Sequence, residues 1–240
     1  MHTQIQDRVG LFTSSQNVAV EDSLYNSENL LKLQGRLART SKSKRLADVV
    51  LSLVGLFVLG LMFPIISLII KLSSRGPVVF KQDRVGFNGE IFQVYKFRTM
   101  HVSQPISDTD ANKPVVTKVG DKRLFAFGSL LRKLNLDELP QLLNVLKGEM
   151  TLVGPRPYPV EEANYWTEHI EKFEQRHFVK PGITGLSQVT GYRGGTHDID
   201  HMTERLRRDL RYIERFSITT DLKIVWKTVL QMLHLNTGAH

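Results

Sequence analysis

Asp137 and Glu138 stand side by side between a basic segment and Pro140, in the run LRKLNLDELP. As structural residues they mark a helix start: Asp at the N-cap, Glu in the first turn, and proline tolerated in that same turn. The same geometry suits chemistry. Exposed amides at a helix start attract anions, and two adjacent acids can hold a divalent cation such as Mg²⁺ there. An aspartate beside Mg²⁺ and a phosphate can act as a covalent nucleophile. Arg132, just upstream, can fork onto phosphate oxygens. Arg156 lies between Pro155 and Pro157. The prolines fix φ, so its guanidinium is presented at little entropic cost, either to substrate or in a salt bridge to one of the acids. Arg193 lies in Gly191-Tyr192-Arg193-Gly194-Gly195. Glycines let a backbone come close to a ligand, and the arginine can meet a phosphate or uracil; the alternative is a flexible loop.

Other constellations carry less. His197 and His201 stand four apart with Asp198 and Asp200 between them, but no third ligand accompanies them, and an exposed turn is expected. The chain has no P-loop lysine motif and no strand-turn Gly-x-Gly-x-x-Gly. Lys96-Phe97-Arg98 has aromatic-basic character without completing a nucleic-acid module, so no nucleic-acid partner is expected.

The acids must be positioned by the rest of the chain, and its composition says where. From Val49 to Ile70 there is no ionisable residue, and Pro64 interrupts the run. The run is long enough for a membrane helix. Basic residues flank both sides, Lys42, Lys44 and Arg45 before it and Lys71 and Arg75 after it. Positive charge marks the cytoplasmic flank, so a symmetric pair of flanks favours a segment that enters and returns. Pro64 would supply the bend. A kinked crossing helix remains the alternative. The carbonyls freed near Val58–Gly60 need partners, with Ser67 or water as candidates, and Asp48 at the entry can be neutralised by Arg45. The net charge of +8 and pI of about 9.7 favour anionic partners: nucleic acid, acidic lipid or phosphorylated substrates. There is no cysteine, hence no disulfide, which suits a cytosol-facing protein. The first residues are too polar for a secretory signal, so the apolar segment is expected to be retained.

Residues 1–43 read as a polar, mobile extension ending in a short basic helix around Leu30–Leu37. After Gly76-Pro77, two strand-like runs, Val78–Phe80 and Ile91–Tyr95, flank Asn88-Gly89, a two-residue hairpin signal. Gln104–Val119 reads as a loop. Helices are expected over Leu124–Lys133, Leu139–Leu146 with Gly148 at its C-cap, Val160–Arg176 and Met202–Arg215. A last one, capped by Thr220 or Asp221, carries Leu222, Val225, Trp226, Val229, Leu230 and Leu233 on one side. That side packs on the core or lies in the head-group layer. The fold class is α+β.

From Lys44 to the C-terminus the chain resembles the monotopic bacterial phosphoglycosyl transferases, the bacterial sugar transferase family. The stretches that carry the resemblance are KRLADVVLSL, GPVVFKQDRVGFNGEIFQVYKFRTM, LRKLNLDELPQLLNVLKGEMTLVGPRP, KPGITGLSQVTGYRG and YIERFSITTDLKIVWKT, in that order. The resemblance implies a monotopic membrane protein with a re-entrant helix hairpin over 44–75, Pro64 at its bend. It implies a catalytic domain over 76–240 on the cytosolic face of the bacterial inner membrane. In this picture Asp137 is the nucleophile and Glu138 its partner at Mg²⁺. A UDP-sugar loses UMP to leave a phosphosugar on Asp137, and undecaprenyl phosphate takes it up. Arg132, Arg193 and Asp221 map onto nucleotide- and phosphate-binding positions, and the Pro-Arg-Pro turn at Arg156 matches as well. Phe63 stands where many small members have serine before the bend proline, and residues 1–43 replace the membrane helices of larger members. The Gly-Tyr-Arg-Gly-Gly stretch is closer to hexose-type members than to diacetamido-sugar ones, which implies UDP-glucose or UDP-galactose as donor. The implied role is the first membrane step of an exopolysaccharide, capsule or O-antigen, with membrane lipid as a further partner and homo-oligomerisation open. Two other classes stand beside this one: a non-catalytic membrane-bound basic module, and an ordinary glycosyltransferase that would release UDP.

Overall fold

The computed structural model describes residues 28–102, 117, 120–196 and 198–233. Residues 1–27 and almost all of the expected loop 104–119 lie outside them, as does His197. The apolar segment is α2, Lys42–Ser73, helical from end to end with Pro64 inside it. One continuous helix thus stands where a helix hairpin was expected over 44–75. Ser41 caps it, its hydroxyl accepting from the Lys44 amide at 3.2 Å. The Ser67 hydroxyl, expected to answer a carbonyl freed by Pro64, is buried with no hydrogen-bond partner.

The buried residues of α2 are Lys44, Asp48, Ser52, Leu59, Ile66 and Ile70, a stripe at helical spacing along its whole length. Opposite them Phe57, Leu61, Ile65, Leu68 and Leu72 are each more than 60% exposed. Among the described residues this is the one helix long and apolar enough to cross a membrane.

Both ends of α2 are fastened to the same domain. At its start, Lys44 Nζ lies 2.6 Å from Asp221 Oδ2 and donates to the Val153 carbonyl at 3.1 Å. Asp48 accepts from the Thr151 hydroxyl at 2.7 Å and the Leu152 amide at 3.1 Å. Arg45, the expected partner of Asp48, donates instead to the Val145 and Leu146 carbonyls. Asp48 needs no cation because two donors from one strand already satisfy it. Toward the other end, Leu59, Ile66 and Ile70 pack with Phe97, Phe125 and Leu131. Arg98 then donates to the Ser74 hydroxyl and carbonyl at 2.6 and 2.7 Å.

The helical residues 28–40, α1, end the N-terminal extension and pack on the domain. Leu31 and Ala38 are buried with Val153, Val179, Val189, Tyr212, Ile213 and Ile224. Strands β1 (Val79–Val85) and β2 (Ile91–Phe97) form an antiparallel hairpin. Its loop is five residues, Gly86–Glu90, rather than two, with positive φ at Asn88 (52°) and Gly89 (81°). Helix α3 (Ala126–Lys133) leads through Leu134 and Asn135 to a 3-10 turn, Leu136–Gln141, and then α4 (Leu142–Lys147), which Gly148 closes at φ 83°.

A parallel pair not foreseen from sequence, β3 (Thr151–Val153) with β4 (Gly182–Thr184), spans only two paired positions. Gly182 is obligatory there, since a Cβ would sit 2.1 Å from the Gly154 nitrogen. The helix expected over Val160–Arg176 is broken. Helix α5 (Val160–His169) ends at Ile170, and Lys172 at φ 63° opens a 3-10 segment, Phe173–Phe178. The break lets Phe173 join Tyr158, Trp166, Met202 and Leu206 in a core cluster.

After α6 (Leu186–Val189) comes α7 (Ile199–Glu214). It is capped by Asp198, whose side chain accepts the Asp200 and His201 amides, so this acid serves the backbone. The hydroxyl at the start of α8 (Ile218–Leu233) belongs to Ser217, which accepts the Thr220 amide at 3.1 Å; Asp221 is buried rather than capping. Leu222, Trp226, Val229 and Leu233 of α8 are exposed. The whole is a helix-dominated α+β fold with two small sheets and one long apolar helix.

Removing one partner of a buried ion pair strands the other. Lys44→Met is therefore expected to destabilise the protein by about 3–5 kcal/mol. Lys44→Met with Asp221→Asn should recover much of that. Thermal denaturation in a fixed detergent checks both; equal melting temperatures for wild type and Lys44→Met would refute the pairing.

Candidate active site

Asn135, at φ 56°, turns the chain after α3, and its carbonyl accepts the Glu138 amide at 3.3 Å. The helix-start position is thus held by Asn135, and the two acids follow inside the turn. This corrects the expectation of Asp137 as an N-cap. The 3-10 turn rests on β2, and both carboxylates are buried.

Four elements send cations to this point. Lys96 of β2 lies 2.8 Å from Glu138 Oε1. Arg156 grips both Glu138 oxygens, at 2.7 and 3.2 Å. Arg193 of the glycine loop stands 3.7 Å from Oε2. Arg132 donates Nε to the Thr99 hydroxyl at 2.9 Å and acts on Asp137 and Glu138 through its charge. Asp137 accepts no side-chain hydrogen bond among the described residues.

The two acids consequently differ. Burial raises the Asp137 carboxyl above the usual range, and the neighbouring Glu138 charge adds to this, against Lys96, Arg132 and Arg156. Burial opposes the Glu138 charge too, but Arg156 and Lys96 outweigh it and hold that carboxyl well below the usual range. Burial, reinforced by Arg156 and Arg84, brings Lys96 down to about 8 although Glu138 resists.

Each cation is itself positioned. Arg176 donates to the Arg156 carbonyl at 2.8 Å, pairs with Asp209 at 2.8 Å, and lies over the Tyr158 and Phe173 rings. Arg84 donates to the Pro157 carbonyl at 2.7 Å. The Pro-Arg-Pro turn is therefore held from both sides. Arg205 donates to the Tyr158 hydroxyl and to the Gly194 carbonyl, each at 2.7 Å, which ties the glycine loop to the same frame. Gly191 and Gly194 have φ of 95° and 85°, a left-handed backbone that suits glycine.

Arg132, Arg156 and Arg193 thus gather around the acid pair. Asp221 is not among them. Its oxygens take Lys44 at 2.6 Å and the Tyr212 hydroxyl at 2.7 Å, under α2. Lys96 was missed as a site residue. Its signal was a lysine two positions from Val94 on one face of a strand, where Val94 is 1% exposed. Arg84, Arg176 and Arg205 left no such mark.

Among the described residues no group of three or more His, Asp or Glu side chains could hold a metal. Glu138 has both oxygens engaged by Arg156 and Lys96, so of the pair Asp137 is the carboxylate with oxygens available to Mg²⁺, a cation that can bind through a single carboxylate together with substrate phosphates and water.

The sequence profile of the bacterial sugar transferases matches residues 39–235. The chain belongs to the bacterial sugar transferase family. It is 42% identical over 191 residues to UDP-glucose:undecaprenyl-phosphate glucose-1-phosphate transferase of Escherichia coli (strain K12), covering 78% of this chain and 39% of that protein. A protein of the same name from Caulobacter vibrioides is 41% identical over 190 residues, covering 79% of this chain and 69% of the relative. Exopolysaccharide production protein PSS of Rhizobium leguminosarum bv. phaseoli is 40% identical over 198 residues, 81% of this chain and 97% of the relative. The chain therefore spans about two fifths of the E. coli sugar transferase and nearly all of the Rhizobium one.

Folding favours the neutral form of Lys96, so its contribution destabilises the fold below about pH 8 and is relieved as pH rises toward the free lysine value. In a lysine-labelled NMR titration, one ammonium is expected to titrate near 8 and to vanish in Lys96→Arg. Glu138→Gln should move it lower still, since its counter-charge is gone. An upward move would show that Glu138 is not its partner.

Proposed function

We propose that the protein transfers a sugar 1-phosphate from a UDP-sugar to undecaprenyl phosphate, releasing UMP, by way of a phosphosugar carried on Asp137. The observation that carries this reading is the asymmetry of the acid pair. Glu138 is neutralised by Arg156, Lys96 and Arg193, while Asp137, amid the same cations, accepts no side-chain hydrogen bond among the described residues. A buried carboxylate without donors keeps its nucleophilicity, and fixed positive charge lowers its repulsion from an incoming diphosphate.

An Asp137 oxygen attacks the sugar-bearing phosphorus. The bond from that phosphorus to the bridging oxygen breaks, and UMP departs with the electron pair. An oxygen of undecaprenyl phosphate then attacks the same phosphorus, and Asp137 leaves as carboxylate. Lys96, Arg132 and Arg193 offset charge on the phosphoryl oxygens during both displacements. Asp137, with Glu138 beside it, would hold Mg²⁺, which when bound supplies further neutralisation of the diphosphate. The relatives named above for glucose, from E. coli and C. vibrioides, support a hexose donor, glucose foremost. A relative from Aeromonas hydrophila, 36% identical, is named for N-acetylgalactosamine.

The acceptor phosphate lies at head-group depth, and α2 sets that depth. Its exposed apolar face sits in one leaflet, while its buried stripe keeps the helix on the domain at both ends. The chain thus dips into the cytosolic leaflet of the bacterial inner membrane without crossing it, and its reaction opens the assembly of an exopolysaccharide, capsule or O-antigen unit.

With Mg²⁺, UDP-glucose and undecaprenyl phosphate, the purified protein is expected to release UMP. Asp137→Asn should lower the rate by more than about a thousandfold while leaving membrane insertion intact. Mass spectrometry of protein trapped with donor alone should place the adduct on Asp137. Release of UDP, or an adduct elsewhere, would overturn the mechanism. For topology, the chain offers no cysteine of its own, so Ser43→Cys and Arg75→Cys report cleanly. Both should react with an impermeant maleimide from the same side of sealed vesicles; reaction from opposite sides would show a crossing helix.

A further inference from the structure

A second basic site lies at the elbow between α1 and α2, beyond the far end of α4 from the acid pair. Arg39, Lys44, Arg45, Asp48 and Lys180 line a cleft there, over Met150 and Val153. Two of the five charges are already answered. Lys44 is paired with Asp221, and Asp48 is bonded to Thr151 and Leu152. The other three are cations.

Arg45 is fixed by the last carbonyls of α4, using two of its five N–H groups. Arg39 lies over the Phe87 ring, 4.7 Å from its centre. The half-buried Lys180 ammonium has no hydrogen-bond or ion-pair partner among the described residues. The point where a Cβ would stand on Gly148 lies 3.5 Å from Lys180 Nζ and 4.0 Å from an Arg45 terminal nitrogen, so the two cations converge over that glycine. Burial lowers the Lys180 ammonium, and Arg45 and Arg39 lower it further, against Asp48. Three mutually repelling cations, Arg45 and Arg39 held by other contacts and Lys180 without a partner among the described residues, form a site for an anion.

The surroundings say which anion. Leu37 on α1 and Leu46 and Val50 on α2 are 51%, 65% and 48% exposed. Cations at the edge of an apolar surface match a phosphate whose own tail is apolar. We propose that the α1–α2 elbow binds the phosphate of an anionic phospholipid, its acyl chains lying along the exposed leucines of the two helices. The proposal rests on the reading of α2 as lying in a leaflet, but not on catalysis. Arg39, the cation that α1 contributes, stands at the first residue of the family match.

The test uses the full chain extracted into mild detergent from nanodiscs of phosphatidylcholine with phosphatidylglycerol, and native mass spectrometry counts retained lipid. Wild type is expected to keep phosphatidylglycerol and to shed phosphatidylcholine. Arg39→Gln with Lys180→Gln should lower retention by roughly tenfold or more. Lys32→Gln, a change elsewhere on α1, should leave it unchanged. If the double variant fails to fold, Arg39→Gln alone, at an exposed position, carries the test through a several-fold loss. Equal retention by wild type and variant would overturn the site. Displacement of the lipid by millimolar inorganic phosphate would make it a free-phosphate site and overturn the lipid assignment. Displacement by undecaprenyl phosphate, with a raised acceptor KM in the variant, would assign the cleft to the acceptor and overturn it likewise. Retention is read without a sugar donor, so a protein that keeps phosphatidylglycerol and releases no UMP would refute the proposed reaction alone.

Discussion

Two adjacent carboxylates cannot both be buried as anions unless cations go with them. That constraint organises the domain. Glu138 is surrounded by Lys96 from a strand, Arg156 from a proline-framed turn and Arg193 from a glycine loop. These come from three separate stretches of chain, and each needs its own support. Arg176 with Asp209 and Arg84 hold the turn; Arg205 holds the loop. Much of the polar interior between residues 84 and 209 can be read as scaffolding for one neutralised acid. The neutralisation is unequal, and it leaves Asp137 as the acid with oxygens to spare.

The second constraint is depth. An apolar helix that is to sit in lipid yet stay on a polar domain needs two faces of different solvent preference. In α2 the inward face changes character along its length. It is ionic at Lys44 and Asp48, hydroxylic at Ser52, and aliphatic from Leu59 to Ile70. The ionic end docks beside α8 and β3, and the aliphatic end docks on Phe97 and Phe125. Pro64 lies on the aliphatic half, where a missing hydrogen bond disturbs no ionic contact.

Much of this was legible in the residues. The apolar run, the hairpin around Asn88-Gly89 and the helix stop at Gly148 follow from local chemistry, while the gathering of Arg132, Arg156 and Arg193 around the acids was implied by the family resemblance. What stayed hidden is long-range. Nothing near Asp221 announces that Lys44 will reach it, so a buried ion-pair partner read as a helix cap. Asp48 looked as if it needed Arg45, because the strand donors that satisfy it come from more than a hundred residues away. The break in the helix after His169 rests on Lys172 adopting a left-handed backbone, a choice made by the packing of Phe173 rather than by propensity. Lys96 was read with Phe97 and Arg98 as an aromatic-basic run, because nothing in the local sequence shows that it will meet Glu138, 42 positions on.

The bond between Lys44 and Asp221 joins residues 177 positions apart. At ribosomal speeds of about 5–20 residues per second, roughly 10–35 s separate their emergence. For more than half of that interval the apolar stretch exists as nascent chain with β3 not yet made, and for all of it α8 is incomplete. The aspartate that closes the ionic end of α2 is therefore among the last of the helix's partners to be synthesised.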